Sequence, residues 1–154
     1  MAEETKDTGT QNKEDLPARI ARLEQDISSR DSELTAINCM DGRVQHPVRA
    51  FLQKKYKVDH VDAITEPGPD GILAANQDKL ALESIKRRLE ISTGKHGSNH
   101  IAIVGHHDCA GNPVDKETHF AHVRSAIKTV KSWGVTAEVI GLWVDDKWKV
   151  SEIR

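Results

Sequence analysis

The sequence predicts an α/β fold with a central, mostly parallel sheet of strand order 2-1-3-4, flanked by helices. Short β-rich segments alternate with segments of helical periodicity, and such alternation produces right-handed crossovers between parallel strands. The segment 100–104 ends in the unbroken apolar run IAIV, as expected for a central strand covered on both faces. With 154 residues, the chain has a length typical of one domain with a real core.

The N-terminal part of the chain differs in composition from the rest. Residues 1–15 are charged and Thr-rich and lack large apolar side chains, so we expect a disordered tail. Residues 16–32 are predicted to form a helical arm, because apolar positions there recur at spacings of three and four. These positions are Ile20, Leu23 and Ile27. The arm precedes the first strand, and no adjacent segment of the sequence is expected to pack against its apolar face. A neighbouring subunit could provide that contact. Residues 33–154 are expected to form a single α/β domain.

Within that domain, strands and helices are expected to alternate. Strands are predicted over residues 34–38, 58–64, 100–104 and 137–144. Helices are predicted over residues 47–55, 73–90 and 116–133, with Pro47 in the first turn of the first of them. The segment TEPGPDG, residues 65–71, is typical of a loop. The final segment DDKWKVSEI could add a short hairpin or an extra edge strand.

Composition indicates which kinds of binding partner and which cellular compartment to expect. The formal net charge of −2 and the dispersed Lys and Arg residues predict no nucleic-acid or membrane-surface partner, and the basic cluster at 86–88 is typical of a solvated helix face. No apolar run approaches the roughly 20 residues that span a bilayer. The N-terminal segment has no apolar stretch of the kind found in secretory signals, and two cysteines do not make a disulfide framework. We expect a cytoplasmic protein with reduced thiols.

Polar residues follow two of the predicted strands, which are neighbours in the 2-1-3-4 order. Cys39 and Asp41 follow the first strand in the segment CMDGR, and the segment GHHDC, residues 105–109, follows the third. In parallel sheets, functional groups gather beyond the carboxyl ends of strands where the strand order reverses. The two loops, which contain both cysteines of the chain, are therefore expected to meet at one place.

These loops offer a set of ligands that suits zinc. Cys39, His106 and Cys109 would supply two thiolates and one imidazole, and zinc favours tetrahedral coordination by nitrogen and sulfur. Three protein ligands leave a fourth position for water or for a nearby carboxylate. Asp41 is placed to compete for that position, and Arg43 could bind the Asp41 carboxylate through a bidentate pair.

The remaining histidines are less informative. His107, like Asp108 beside it, could have a functional role or could simply be solvated or cap the turn. His119 and His122 lie on the following predicted helix and could relay protons, although exposed polarity on a helix is the more ordinary explanation. His46, His60, His96 and His100 are interpreted as solvated or satisfied polar side chains.

Taken together, the segments CMDGR and HHDC resemble the β-class carbonic anhydrases, whose zinc site is Cys-x-Asp-x-Arg followed after a long gap by His-x-x-Cys. The resemblance implies that Cys39, His106 and Cys109 are the zinc ligands and that Asp41 and Arg43 form the catalytic pair. It also implies reversible hydration of carbon dioxide to bicarbonate, with water activated by the metal. A homodimer or larger homo-oligomer, assembled through the N-terminal helix, is implied as well.

The chain departs from the family pattern around the substrate. TEPGPDGILA, residues 65–74, stands where the family carries an Arg-Asn-x-x-Asn type of segment. Candidates for the aromatic wall of the pocket are Phe51, Tyr56 and Phe120. Since such walls decide which small linear molecule fits, a zinc hydrolase for carbonyl sulfide or carbon disulfide is an alternative. A catalytically silent zinc-binding or sensory homologue is another. Thiol redox chemistry is disfavoured because the cysteines do not form a Cys-x-x-Cys pair.

Overall fold

The computed structural model describes residues 15–30 and 32–154, and only the backbone of residues 25–30. The helices are α1 (Leu16–Arg30), α2 (Gly42–Tyr56), α3 (Pro69–Ala75), α4 (Lys79–Glu90) and α5 (Lys116–Ser132). The strands are β1 (Glu33–Cys39), β2 (His60–Glu66), β3 (His100–His106), β4 (Glu138–Val144) and β5 (Val150–Ile153). In the described part of the chain, no helix combines the length and apolar character needed to cross a membrane. The predicted tail lies outside the described residues except for Asp15, and the division into tail, arm and domain stays a prediction.

The five strands form one sheet in the order β2-β1-β3-β4-β5. The pairs β1–β2, β1–β3 and β3–β4 are parallel, and β5 pairs with β4 in the antiparallel direction. The predicted 2-1-3-4 order and the extra edge strand are therefore confirmed. Strands β1 and β3 lie in the centre of the sheet with every residue after the first buried, in agreement with their apolar sequences.

Helices cover the sheet on both faces and divide the core into two clusters. Helix α2 packs on one face through Val44, Val48 and Leu52, which join the cluster that also contains Cys39 and Cys109. Helices α3, α4 and α5 pack on the other face. Their buried residues there include Leu73, Ile85, Leu89, Val123, Ala126 and Val130. Both faces of the central strands are thus shielded from water. Polar groups buried at the ends of these strands therefore cost free energy unless they are hydrogen-bonded or bind a ligand.

The single long helix predicted over residues 73–90 is wrong. Two helices, α3 and α4, occupy this region, and they are separated at Asn76, which adopts a left-handed conformation with φ of 51°. Asp78 then caps α4 by accepting a hydrogen bond from the backbone N–H of Ala81. The predicted loop over residues 65–71 is also shorter than expected, because α3 begins at Pro69, a residue suited to the first helical position.

Helix α2 begins five residues before the predicted start at Pro47. Asp41 is its N-cap and accepts a hydrogen bond from the backbone N–H of Arg43 at 2.9 Å. An N-cap carboxylate satisfies one of the free N–H groups at a helix end and interacts favourably with the helix dipole. Pro47 consequently lies inside the helix, where its ring cannot donate the usual bond to the carbonyl four residues earlier.

His119 is not an exposed helix residue as predicted. It is 1% exposed, and its Nδ1 lies 2.6 Å from Oδ2 of Asp70, which is equally buried. Its ring also packs against Trp143, with 5.4 Å between the ring centroids. Asp70 belongs to the TEPGPDG segment, so this buried pair ties α3 to α5. His122, in contrast, is only partly buried and contacts the side-chain amide of Asn112.

We expect His119→Leu to lower the free energy of unfolding by about 3–5 kcal/mol, because Asp70 would lose its partner in a buried site. Replacing both residues by leucine should restore part of that loss, since two apolar groups leave no unsatisfied polar atom. His122→Leu is the matched control on the same helix and should cost about 1 kcal/mol. Urea unfolding of the four proteins measures these values, and equal costs for the two single variants would contradict a special role for the buried pair.

Candidate metal centre

Three predicted ligands meet at the carboxyl ends of the two central strands. Cys39 is the last residue of β1 and His106 the last residue of β3, and Cys109 follows in the turn after β3. One ligand atom from each residue can be chosen so that all three lie within 4.8 Å of one another, and all three residues are buried. The two sulfur atoms are 3.9 Å apart and do not form a disulfide.

The ring of His106 is oriented by a hydrogen bond to the backbone. Its Nδ1 lies 2.7 Å from the carbonyl oxygen of His107, and because a carbonyl can only accept, Nδ1 carries the proton. Nε2 is then an unprotonated acceptor, and it is buried with no hydrogen-bond partner among the described residues. A metal-binding histidine commonly has its other nitrogen held by such a contact. The orphaned Nε2 therefore fits a metal ligand.

Backbone N–H groups surround both sulfur atoms. Those of Gly68 and Asp41 point to the Cys39 sulfur, and those of Gly111 and Asn112 to the Cys109 sulfur. A hydrogen bond from Cys109, helped by His106, lowers the pKa of Cys39 to about 4. The pKa of Cys109 is raised, because its proton is shared with Cys39 and its loss would leave two thiolates in contact. A divalent cation would remove that repulsion and stabilise both thiolates.

The protonation of His106 follows the same pattern. Burial alone would lower its pKa, but the nearby Cys39 sulfur and the hydrogen bond to the His107 carbonyl outweigh burial and raise it. Since metal ligands must be deprotonated, metal binding here would displace protons and depend on pH.

The turn that carries Cys109 packs closely against the loop after β2. A Cβ atom added to Gly111 would lie 2.3 Å from the carbonyl carbon of Pro67, and one added to Gly68 would lie 2.7 Å from the carbonyl carbon of Gly111. Gly68 also has a φ of 61°, which favours glycine. These contacts place two backbone segments within reach of the sulfur atoms.

Asp41 and Arg43 form the bidentate pair that the sequence suggests. Nε of Arg43 lies 3.1 Å from both carboxylate oxygens of Asp41, and Nη2 lies 2.7 Å from Oδ2. Hydrogen bonding to Arg43 lowers the pKa of Asp41 to about 2, so the carboxylate is ionised at neutral pH. Its oxygens are not within 4.8 Å of all three ligand atoms. In this arrangement Asp41 is therefore bound to Arg43 and is not a fourth member of the ligand cluster.

Further residues that contact Arg43 were not predicted. Asp108 accepts from Nη1 through its carboxylate at 3.2 Å and from Nη2 through its carbonyl at 3.1 Å. The Trp148 ring lies under the guanidinium, 4.6 Å from the ring centroid to Cζ. Gln45 donates to the carbonyls of Cys39 and Asp41 and so supports the loop between them. The sequence left a functional role open for Asp108 within the HHDC motif, whereas Trp148 lies about 40 residues away in a turn with no recognisable pattern.

Other predicted candidates lie elsewhere. His107 is exposed, and only its backbone carbonyl serves the cluster. Tyr56 stacks on His100 at the start of β3, which is the end of the strand opposite the site. Phe120 packs edge-on against Trp143, in the core cluster on the face opposite to the cysteines. Phe51 packs against the α2-side cluster that contains the cysteines.

A second group of potential ligands lies away from the cysteines. Nδ1 of His96 is 2.6 Å from a carboxylate oxygen of Asp62 and 2.9 Å from one of Glu33. Ser92 donates to the same oxygen of Asp62, and the hydrogen bond to Asp62 raises the pKa of His96. Glu33 begins β1, whereas Cys39 ends it. His96 thus belongs to an ion-pair cluster at the other end of the strand.

The donor set at the carboxyl edge is appropriate for zinc. Two sulfurs and one imidazole nitrogen match the ligands that zinc prefers, and three protein ligands with a fourth position left for water or substrate are typical of catalytic zinc sites. The α/β fold, the parallel sheet and this site at the ends of β1 and β3 together define the class of the β-carbonic anhydrases.

Comparisons with known proteins agree with this assignment of class. The family model described as "Putative carbonic anhydrase" matches residues 29–154, and the chain belongs to that family. No curated protein sequence matches the chain.

Solved structures share its fold at low sequence identity. A β-carbonic anhydrase isoform I from Trichomonas vaginalis aligns with a TM-score of 0.56 and 15% identity, over 91% of this chain and 98% of that one. A carbonic anhydrase from Glaciozyma antarctica gives 0.55 and 12%, over 93% and 98%. One of two tetrameric β-carbonic anhydrases from Sordaria macrospora gives 0.51 and 13%, over 89% and 91%. The predicted resemblance to the β-class is confirmed at the level of family and fold.

Two adjacent histidines allow a test of the ligand assignment. We expect His106→Gln to weaken zinc binding by more than about 100-fold, which is the most that loss of an outer contact usually costs. His107→Gln keeps the backbone carbonyl that orients His106 and replaces only an exposed side chain. It should therefore change the zinc affinity by less than a factor of about 3. Competition with a chromophoric chelator measures both affinities, and a larger loss for His107→Gln than for His106→Gln would show that the ligand is assigned to the wrong histidine.

Proposed function

We propose that the protein is a zinc-dependent carbonic anhydrase that catalyses the reversible hydration of carbon dioxide to bicarbonate. The observation that carries this proposal is the buried Cys39, His106 and Cys109 cluster with the Asp41–Arg43 pair directly beside it. Membership of the carbonic anhydrase family and the shared fold support it. A structural zinc site would gain little from a carboxylate that is bound to a neighbouring arginine.

Each residue would have a distinct part in the reaction. Cys39, His106 and Cys109 would hold the ion, which when bound acts as a Lewis acid that makes water nucleophilic at neutral pH. Asp41 is ionised and would accept a hydrogen bond from the reacting water, so that an oxygen lone pair points to the carbon dioxide carbon. Arg43 would keep Asp41 in this orientation. The surrounding apolar core would limit competing water, since carbon dioxide itself offers few polar groups to bind.

The pH dependence of such an enzyme would not come from Asp41. Because Arg43 lowers the pKa of Asp41 to about 2, this carboxylate stays ionised well below neutral pH. It would be lost as an acceptor only when the pH falls toward that value. Activity that rises between pH 6.5 and 9 would therefore report deprotonation of water at the metal, whose pKa is expected to be about 7.

Hydration of carbon dioxide should be measured by stopped flow with a pH indicator from about pH 6.5 to 9, in parallel with zinc content. We expect one zinc per chain, and a rate for Asp41→Asn that falls by about 10²–10⁴-fold with zinc retained, because the oriented proton acceptor is lost. Asp146→Asn, which changes an exposed aspartate, is the matched control and should leave the rate unchanged.

Three outcomes separate the alternatives. Stoichiometric zinc without hydration at any pH would overturn the enzyme proposal and favour a silent or sensory homologue. Faster turnover of carbonyl sulfide or carbon disulfide than of carbon dioxide would favour the related hydrolase. If the purified protein contains no metal and binds none after zinc addition, all three candidate functions (carbonic anhydrase, related hydrolase, and silent or sensory homologue) would be contradicted.

We also propose that the chain forms a homodimer or larger homo-oligomer through an N-terminal arm, residues 16–32, appended to the catalytic domain of residues 33–154. Large apolar side chains on α1 support this, because Leu16 is 65% exposed and Ile20 and Leu23 are each 47% exposed. The Sordaria macrospora structures are of tetrameric proteins. A reducing compartment such as the cytoplasm would keep both cysteines available as ligands.

The arm hypothesis predicts a change of mass in solution. Ile20→Asp combined with Leu23→Asp should convert the oligomer to a monomer in analytical ultracentrifugation, since two charges would be placed in an apolar contact. Leu80→Asp alters a side chain on α4 that is 82% exposed, and this control should leave the oligomer intact. An unchanged sedimentation coefficient in the double variant would show that α1 is not the interface.

A further inference from the structure

Arg43 is held from several directions although its side chain is 46% exposed. One edge of its guanidinium binds Asp41, another binds the carboxylate and the carbonyl of Asp108, and one face lies on the Trp148 ring. A surface arginine usually gains little from a single ion pair because it loses side-chain freedom. Three simultaneous partners restrict this side chain to one orientation, and that orientation sets the position of the Asp41 carboxylate.

Trp148 is itself fixed by the turn between β4 and β5. The backbone N–H of Trp148 donates to the Asp145 carbonyl, and the Asp145 carboxylate accepts from the backbone N–H groups of Lys147 and Lys149. The ring packs against the α2-side core cluster. The aromatic face therefore cannot follow Arg43 if the guanidinium moves, and it acts as a rigid support for the cation.

Two of the three residues that hold Arg43 adopt unusual backbone conformations. Asp108 has a φ of 56° and Trp148 a φ of 60°, in the left-handed region that residues with a side chain rarely adopt. Such conformations persist only where the surroundings impose them, and they concentrate at functional sites. The contact of both residues with one guanidinium supports a functional role for the position of Arg43.

We propose that Trp148 is a positioning residue for Asp41: by supporting Arg43 it keeps the Asp41–Arg43 pair together and the Asp41 carboxylate away from the fourth ligand position. This inference rests on the proposed zinc site. It adds Trp148 as the residue that keeps Asp41 bound to Arg43. Without the aromatic support, Arg43 would spend more time away from Asp41. The released carboxylate would then compete with water for the metal.

The first test concerns Arg43 directly and needs no activity. In full-length protein as purified, the exchange of the Arg43 Nε proton with solvent is followed by ¹⁵N NMR, with Arg43→Lys used for assignment. Trp148→Leu should accelerate exchange by about 2- to 30-fold, the range that corresponds to loss of one cation–π contact. Trp148→Phe keeps a ring and should stay within a factor of about 2 of the native rate. Trp133→Leu, at a partly buried tryptophan in the other core cluster, should not change it.

The second test asks what the released carboxylate does. Cobalt(II) is substituted into the same proteins and its visible spectrum recorded. Trp148→Leu should shift the spectrum toward coordination by a carboxylate, and adding Asp41→Asn should abolish that shift. If Trp148→Leu does not fold, Trp148→Met, which keeps a flexible apolar side chain without a ring, replaces it in both tests.

Unchanged proton exchange in the variant without a ring would overturn the role of Trp148. Faster exchange with an unchanged cobalt spectrum would overturn the link to the fourth ligand position. If cobalt and zinc bind to none of the proteins, the proposed function fails, while the NMR result still decides whether Trp148 holds the pair. The failure of one proposal is therefore distinguishable from the failure of the other.

Discussion

The candidate site depends on the parallel pairing of β1 and β3 at the centre of the sheet. Their register places Thr35 opposite Ile101 and Ile37 opposite Ile103, so both strands end at the same edge and deliver Cys39 and His106 together. Cys39, His106 and Cys109 are all buried there, and burial makes unpaired polar atoms costly. The orphaned nitrogen of His106 and the two unbridged sulfurs are compatible with a place for a cation.

Strand order and ligand cluster were predictable because both follow from local pattern. Alternating elements limit the topology to few possibilities, and each half of the cluster lies within five residues of sequence. The break at Asn76 was missed because the apolar spacing continues across it, and its marks are only the left-handed Asn76 and the capping residue Asp78. The burial of His119 was missed for another reason: its partner Asp70 is 49 residues distant, and nothing in either segment indicates the other. Support of Arg43 by Trp148 is hidden in the same way.

Asp41 illustrates how one side chain can serve the fold and the chemistry. Its carboxylate closes the first turn of α2 and binds Arg43 at the same time. If Asp41 were to move onto a metal, α2 would lose a capping interaction that is typically worth about 1 kcal/mol. Under the proposed function, the helix would therefore favour the arrangement in which Asp41 leaves the fourth ligand position to water.

The close approach of Gly111 to Pro67 and Gly68 has a consequence for how this sequence can change over evolutionary time. A methyl group at either glycine would overlap the opposite backbone, which a change of side chain cannot move out of the way. Homologues that lose one glycine should have remodelled the other loop as well. The two segments are expected to diverge as a unit, which makes the pair of glycines a marker for relatives that retain this geometry around the sulfur atoms.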